Sequence, residues 1–131
     1  MKNYTDRESF VLKPSTVPGV GVGVFALHDI PEGTHMAVFL DDFEEELRKE
    51  EDVPLELRAY CLYKGEGQIL CPKYFNSMDI GNYLNHSENW NLKYEKGRGY
   101  FAHRNIKAGE ELFANYRDLG EPVEQREEYY K

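Results

Sequence analysis

At 131 residues the chain is long enough for one modest core and too short for two. A formal charge of −8 excludes a general nucleic-acid binder, which needs clustered lysine and arginine, and no apolar run approaches a membrane span. A hydrophobic share of 40% with 14% aromatics argues for a folded chain, and tyrosine's use as a strand former accounts for most of the ten tyrosines. The opening "MKNYTDRESF" carries no apolar signal core, so the expected setting is cytoplasmic. Cys61 and Cys71 are then reduced thiols, and the sequons at Asn3 and Asn85 have no glycosylation meaning. The four histidines and two cysteines show no close pairs at zinc-ligand spacing, so no metal site is expected.

In chain order, "SFVLKPS" reads as a short strand ending at Pro14. "GVFALHDIPEGTHMAVFL" gives two short apolar runs split by the turn signal "DIPEG". Residues 42–50 read as a charged helix with Asp42 as cap and Phe43 and Leu47 on one face; a second helix starts near Asp52 and runs through "LELRAY". The acidic run Asp41–Asp52 is foremost a solvated face. "YCLYKGEGQILCP" predicts a hairpin around Gly65-Glu66-Gly67, and "LKYEKGRGYFAHRNI" another around residues 96–99. Between them "SMDIGNYLNHSENWN" is polar and without periodicity. "KAGEELFANYRDL" opens with a turn and returns to an apolar run, and "VEQREEYYK" predicts a helical tail. The sum is one mainly β domain with a small helical insert.

The stretch "PGVGVGVF" raises the question of a ligand loop, since glycine allows unusual φ and close backbone approach. Gly21-Val22-Gly23-Val24-Phe25-Ala26 fits the dinucleotide pattern G-x-G-x-x-A, with Asp41 and Asp42 near the ribose-carboxylate distance. That pattern requires a helix after the glycines, and Pro31 and Gly33 forbid one. A plain glycine turn between strands stays open on this stretch alone.

Taken in order, "PGVGVGVFALHDIPEGT", "NHS" and "FAHRNIKAGEELFANY" resemble three motifs of the SET-domain protein lysine methyltransferases, over roughly Phe10 to Asp118. The resemblance implies a fold of several short curved sheets with a knot-like C-terminal threading and a short C-terminal helix. It implies a core over 10–118, a variable helical insert over 41–60, and a tail, 119–131, covering the site. It implies S-adenosylmethionine as cofactor, held by Val20, Gly21 and Val22, by Asn85 and His86, and on one side by Phe101 with Ala102. Tyr116 matches the catalytic tyrosine and also touches the cofactor; Tyr94 stands at the spacing of a second channel tyrosine, or is an ordinary cross-strand aromatic. Phe39 and Asp118 fall at substrate-channel positions, Phe39 where some members place a tyrosine, so that one hydroxyl is missing, and Asp118 where an aromatic is usual; both leave the methyl count open.

The chemistry suits these types. A lysine with pKa near 10.4 must lose its proton before it attacks, and a sulfonium charge in a low-dielectric channel favours that loss. Tyrosine hydroxyls orient the neutral amine without adding charge. No cysteine cluster follows Tyr116, so the zinc-binding segment of some members has no counterpart in these residues, and Tyr129 or Tyr130 is expected to cover the site or to pack on the surface. Trp90 replaces a usual proline. The expected partner is a protein segment with lysine in a basic context, drawn by an acidic wall at 42–52, with histone-like tails as one case. The brevity of the domain, which resembles microbial or viral members, leaves room for a homodimer in which a neighbour completes the groove. A SET-like module that binds peptide or cofactor without turnover is the alternative.

Overall fold

The computed structural model of the protein describes residue 5, residues 8–39 and residues 44–116. β1 (Phe10–Pro14) and β2 (Val22–Ala26) pair antiparallel from Phe10↔Ala26 to Pro14↔Val22. Pro14 sits on an edge strand, where a missing N–H costs no ladder bond. β2 also pairs with β10 (Glu111–Ala114), Leu112 opposite Val24. β10 runs parallel to the two-residue β7 (Asn85–His86), matching Phe113 with Asn85 and Ala114 with His86. The first sheet therefore has the order β1-β2-β10-β7. It joins residues that are far apart in the chain.

β3 (His35–Met36), β9 (Gly99–Ala102) and β8 (Leu92–Glu95) form a second sheet in the order β3-β9-β8. A third, ordered β4-β6-β5, contains β4 (Glu45–Lys49), β6 (Gln68–Pro72) and β5 (Leu62–Gly65). Both expected hairpins are present, and glycines at positive φ turn them: Gly65 and Gly67 in one, Gly97 and Gly99 in the other. The main core lies between the first two sheets, with Val24, Ile30, Met36, Leu92, Ile106 and Leu112 almost wholly enclosed. Burying one such side chain contributes about 1.5–3 kcal/mol. The third sheet has a smaller core of its own in Val53, Ile69 and Cys71.

The helix expected at 42–50 is instead strand β4, and the insert at 41–60 is not simply helical. Glu45 to Lys49 pair one by one with Pro72 to Gln68, so the ladder overrides a local helical preference. β4 is an edge strand, and its charges are the kind that keep such edges from pairing with other chains. The helical part of the insert is two 3₁₀ stretches, Glu50–Asp52 and Leu55–Tyr60. Residues 40–43 and 117–131, which include Asp118, Tyr129, Tyr130 and the expected helical tail, lie outside the described residues, as does any threading of the chain past Tyr116. Cys61 and Cys71 are free thiols whose Sγ atoms stand 3.3 Å apart, and burial pushes both above the ordinary thiol range.

Candidate active site

The polar stretch before "NHS" is organised by a capped 3₁₀ turn, Ile80–Tyr83. The Asp79 side chain accepts from the backbone of Asn82, and Asn82 Oδ1 accepts from Asp79 N–H at 3.1 Å. This turn delivers Leu84, Asn85 and His86 to the side of β10. Two residues beyond β10, the Tyr116 N–H donates to His86 Nδ1 at 3.0 Å, and the Tyr116 hydroxyl donates to the Leu84 carbonyl. His86 is 1% exposed, with its ring centroid 5.8 Å from that of Tyr116. A second asparagine secures β10 from behind: Asn91, fully buried, accepts from Phe113 N–H and donates to the Glu111 carbonyl, both at 2.8 Å.

The glycine stretch is a loop between β1 and β2, closed by Ser15 N–H donating to the Gly21 carbonyl at 2.9 Å. Gly21 lies at φ +85°, a left-handed conformation that disfavours any side chain even though the space around it is open. Gly23 is needed for a different reason. A Cβ there would lie 2.2 Å from a carboxylate oxygen of Glu111. The loop meets Asn85 directly, since Asn85 Nδ2 donates to the Val22 carbonyl at 2.9 Å.

Two clefts open around this centre. The smaller, about 140 Å³, is walled by Gly19, Val20 and Val22 on the loop side and by Asn82, Asn85 and Tyr116 opposite. The larger, about 790 Å³, is lined by aromatic rings from Phe39, Tyr60, Tyr94, Tyr100 and Tyr116, with Glu45, Lys64, Lys96, His35 and the Cys61 thiol also in its lining. Tyr116, Leu84, Asn82, Tyr60 and Ala59 border both clefts. Tyr116 thus stands at their junction.

Of the residues singled out in the sequence, Val20, Val22, Asn85 and Tyr116 surround the small cleft, while Phe39 and Tyr94 line the large one. His86 presents its ring to Tyr116, and Gly21 shapes the loop from outside the cleft lining. Phe101 is set apart from both clefts. Strand alternation turns Phe101 away, against His35 at 5.3 Å and beneath the Arg98 guanidinium, and puts Tyr100 into the large cleft instead. Phe39 and Tyr94 flank Tyr100, with ring centroids 6.0 and 5.1 Å away. Burial first, then neighbouring Tyr94 and Glu45, hold the Tyr100 phenol above its ordinary range, so it stays neutral and protonated. Desolvation likewise raises the Glu45 carboxyl on the rim, an effect that Lys64 opposes.

Sequence reasoning missed Tyr60, Tyr100, Asn91 and Glu111. The 3.6-residue pattern in "LELRAY" and the alternation in "GRGYFA" hold signals for the two tyrosines, once the neighbouring sheets are known. The expected acidic wall is mixed in sign along the described lining, where Lys64 and Lys96 accompany Glu45.

Residues 21–117 match the family model described as SET domain, about three-quarters of the chain. The chain belongs to the SET-domain family. Two solved structures share its fold at a TM-score of 0.56. One, from Plasmodium falciparum and named as a candidate histone methyltransferase, is 22% identical and covers 85% of this chain and 95% of its own. The other, the methyltransferase domain of human PR domain-containing protein 2, is 24% identical, with coverages of 83% and 77%. A search of the curated proteins returned no match. The motif residues of this SET domain thus lie on a fold common to methyltransferase structures, with Asn85 and Tyr116 brought to one place by the β7–β10 pairing.

Proposed function

We propose that this SET domain is an S-adenosylmethionine-dependent protein-lysine N-methyltransferase. The observation that carries the reading is the position of Tyr116, which borders a small polar cleft on one side and a large aromatic cleft on the other.

The small cleft suits the cofactor chemically. Its loop wall supplies the backbone of Gly19, Val20 and Val22 with two valine side chains, and its far wall supplies the amides of Asn82 and Asn85 and the Tyr116 phenol. At about 140 Å³ it is below the ~300 Å³ at which pockets seat whole ligands, so the described residues enclose a part of the cofactor. Val20, Val22 and Asn85 would hold it, with Gly21 and His86 shaping the loop and the tyrosine behind them. When bound, the cofactor supplies a methyl group on a cationic sulfur.

The chain's own residues position the acceptor. Phe39, Tyr94 and Tyr100 offer an apolar sleeve for the aliphatic stem of a lysine and displace water from it. In such surroundings an ammonium is disfavoured, which lowers the cost of the proton loss that the reaction requires. The Tyr116 hydroxyl donates its proton to the Leu84 carbonyl, so toward an amine N–H its oxygen can act only as an acceptor. His86, bonded to the Tyr116 backbone, fixes where that oxygen stands.

The substrate class is a protein or peptide bearing lysine, and a histone-like tail is one candidate within it. The test is label transfer from methyl-labelled S-adenosylmethionine to peptides with basic and with acidic flanks, and to lysate proteins. Transfer that disappears in Tyr116→Phe supports the enzyme. Cofactor binding with no transfer to any acceptor would sink it in favour of a binding module.

A further inference from the structure

Glu111 is 5% exposed, yet its carboxylate is among the most heavily used polar groups described. Oε2 accepts from the Ser15 hydroxyl at 2.8 Å, while Oε1 accepts from the Thr16 N–H at 2.8 Å and the Thr16 hydroxyl at 2.6 Å. Those partners are 95 and 96 positions away in the chain, at the start of the glycine loop. Oε2 also lies 3.5 Å from Asn85 Nδ2, on the opposite side of the small cleft. The backbone at Gly23 lies against the same oxygen, leaving no room for a Cβ.

These contacts decide how the Asn85 amide is turned. Its nitrogen faces two groups that can only accept, the Val22 carbonyl and the Glu111 carboxylate. The amide oxygen therefore points the other way, and it accepts no hydrogen bond from the described residues, although Asn85 borders the small cleft. The Val22 carbonyl in turn belongs to the loop that Glu111 fastens through Ser15 and Thr16. A single carboxylate thus sets both the loop and the amide.

We infer that Glu111 is a positioning residue for the ligand's amino group: it fastens the 15–22 loop and turns Asn85 so that an acceptor oxygen faces the small cleft. The inference rests on the S-adenosyl reading of that cleft. Glu111 touches no reacting atom. It favours a ligand that presents an N–H donor there, as an amino group does, because the only polarity that the turned amide offers is that of an acceptor.

The test compares two nucleosides on the full chain by titration calorimetry. S-adenosylhomocysteine has the amino-acid arm, and 5′-methylthioadenosine lacks it. The wild type prefers the first. In Glu111→Gln one carboxylate oxygen becomes a donor, and the preference should fall by at least about tenfold, the worth of one hydrogen bond to a charged group. Affinity for 5′-methylthioadenosine should stay within about threefold. Gly23→Ala displaces the same carboxylate without removing its charge, so it should act in the same direction and serves if Glu111→Gln does not fold. A preference that survives in both variants overturns the inference. So does a parallel loss of both nucleosides in a folded variant, which would make Glu111 scaffold only. Wild-type protein that binds neither nucleoside would instead defeat the S-adenosyl reading itself, before any substitution is made.

Discussion

The small cleft and the large one are walled by opposite means. The small cleft rests on the β1-β2-β10-β7 sheet, whose strands come from both ends of the chain and are tied by buried polar groups: Glu111 to the loop, Asn91 to β10, His86 to Tyr116. Part of the large cleft's wall comes from the β4-β6-β5 sheet, whose β5–β6 half is a local hairpin, with three fully buried residues beneath it and Leu47 and Leu55 left exposed. Fixed geometry is needed where a methyl group would be transferred, and directional hydrogen bonds supply it. A wall that meets diverse partner sequences can rest on a thin satellite core, at the cost of opening more easily.

The largest effect expected on this contrast is chemical. Tyr116→Phe removes the hydroxyl at the junction and should lower the transfer rate by about 10²–10³, the usual cost of losing one oriented group, while calorimetric binding in the small cleft is kept. Loss of both binding and rate would mean that Tyr116 supports the cleft rather than the reaction. Core truncation comes next. Leu112 and Ile69 are both 0% exposed, one in each core. Leu112→Ala should cost about 3–5 kcal/mol and lower the global melting midpoint. Ile69→Ala should cost about 2–3 kcal/mol and appear first as faster amide exchange confined to β4, β5 and β6. Exchange that quickens equally in all three sheets would erase the distinction between the two regions.

That distinction also explains what could be read from the sequence. The glycine loop, both hairpins and the β10 turn were legible because their signals are local: positive-φ glycines and alternating apolar residues. The motif resemblance placed Asn85 and Tyr116 together, and the parallel β7–β10 pairing accounts for how. β4 was misread as a helix because "EELRK" has good helix formers and its partner, β6, begins nineteen residues later. Phe101 and Tyr100 were exchanged because strand phase is set by neighbouring sheets, and a shift of one position reverses the face. Glu111 read as part of a turn and of the last motif but with no role of its own, since nothing nearby in the chain reveals partners at Ser15 and Thr16.

A smaller effect sharpens the same contrast from the polar side. Asn91→Ala removes the amide that bonds Phe113 N–H and the Glu111 carbonyl. Leaving buried backbone groups without partners costs about 1–3 kcal/mol. The loss should appear in the denaturant midpoint and as faster exchange at Phe113. Exchange at Phe113 unchanged from wild type would show that β10 holds without its side-chain clasp.

The smallest effect is a difference of sign with pH. Beside β10, Glu110 is pushed up by burial, but hydrogen bonds from the Lys107 backbone and the Arg104 and Asn91 side chains outweigh this and lower it below 4.5. A depressed carboxyl stabilises the fold above its unfolded value and loses that contribution as the pH falls through the folded one. In the insert sheet Glu45 is raised above 4.5, chiefly by desolvation, so the folded state is penalised as the pH climbs from 4.5 past the folded value. Glu110→Gln should therefore lower the melting temperature slightly at pH 7 and converge on the wild type in acid, where both carboxyls are protonated. Glu45→Gln should raise it slightly at pH 7 and converge in acid as well. Both shifts are those of partly exposed groups and shrink in salt, so low ionic strength is the condition in which to measure them. If the two variants moved the melting temperature in the same direction at pH 7, the two walls would not differ in how they hold charge, and the contrast would rest on core size alone.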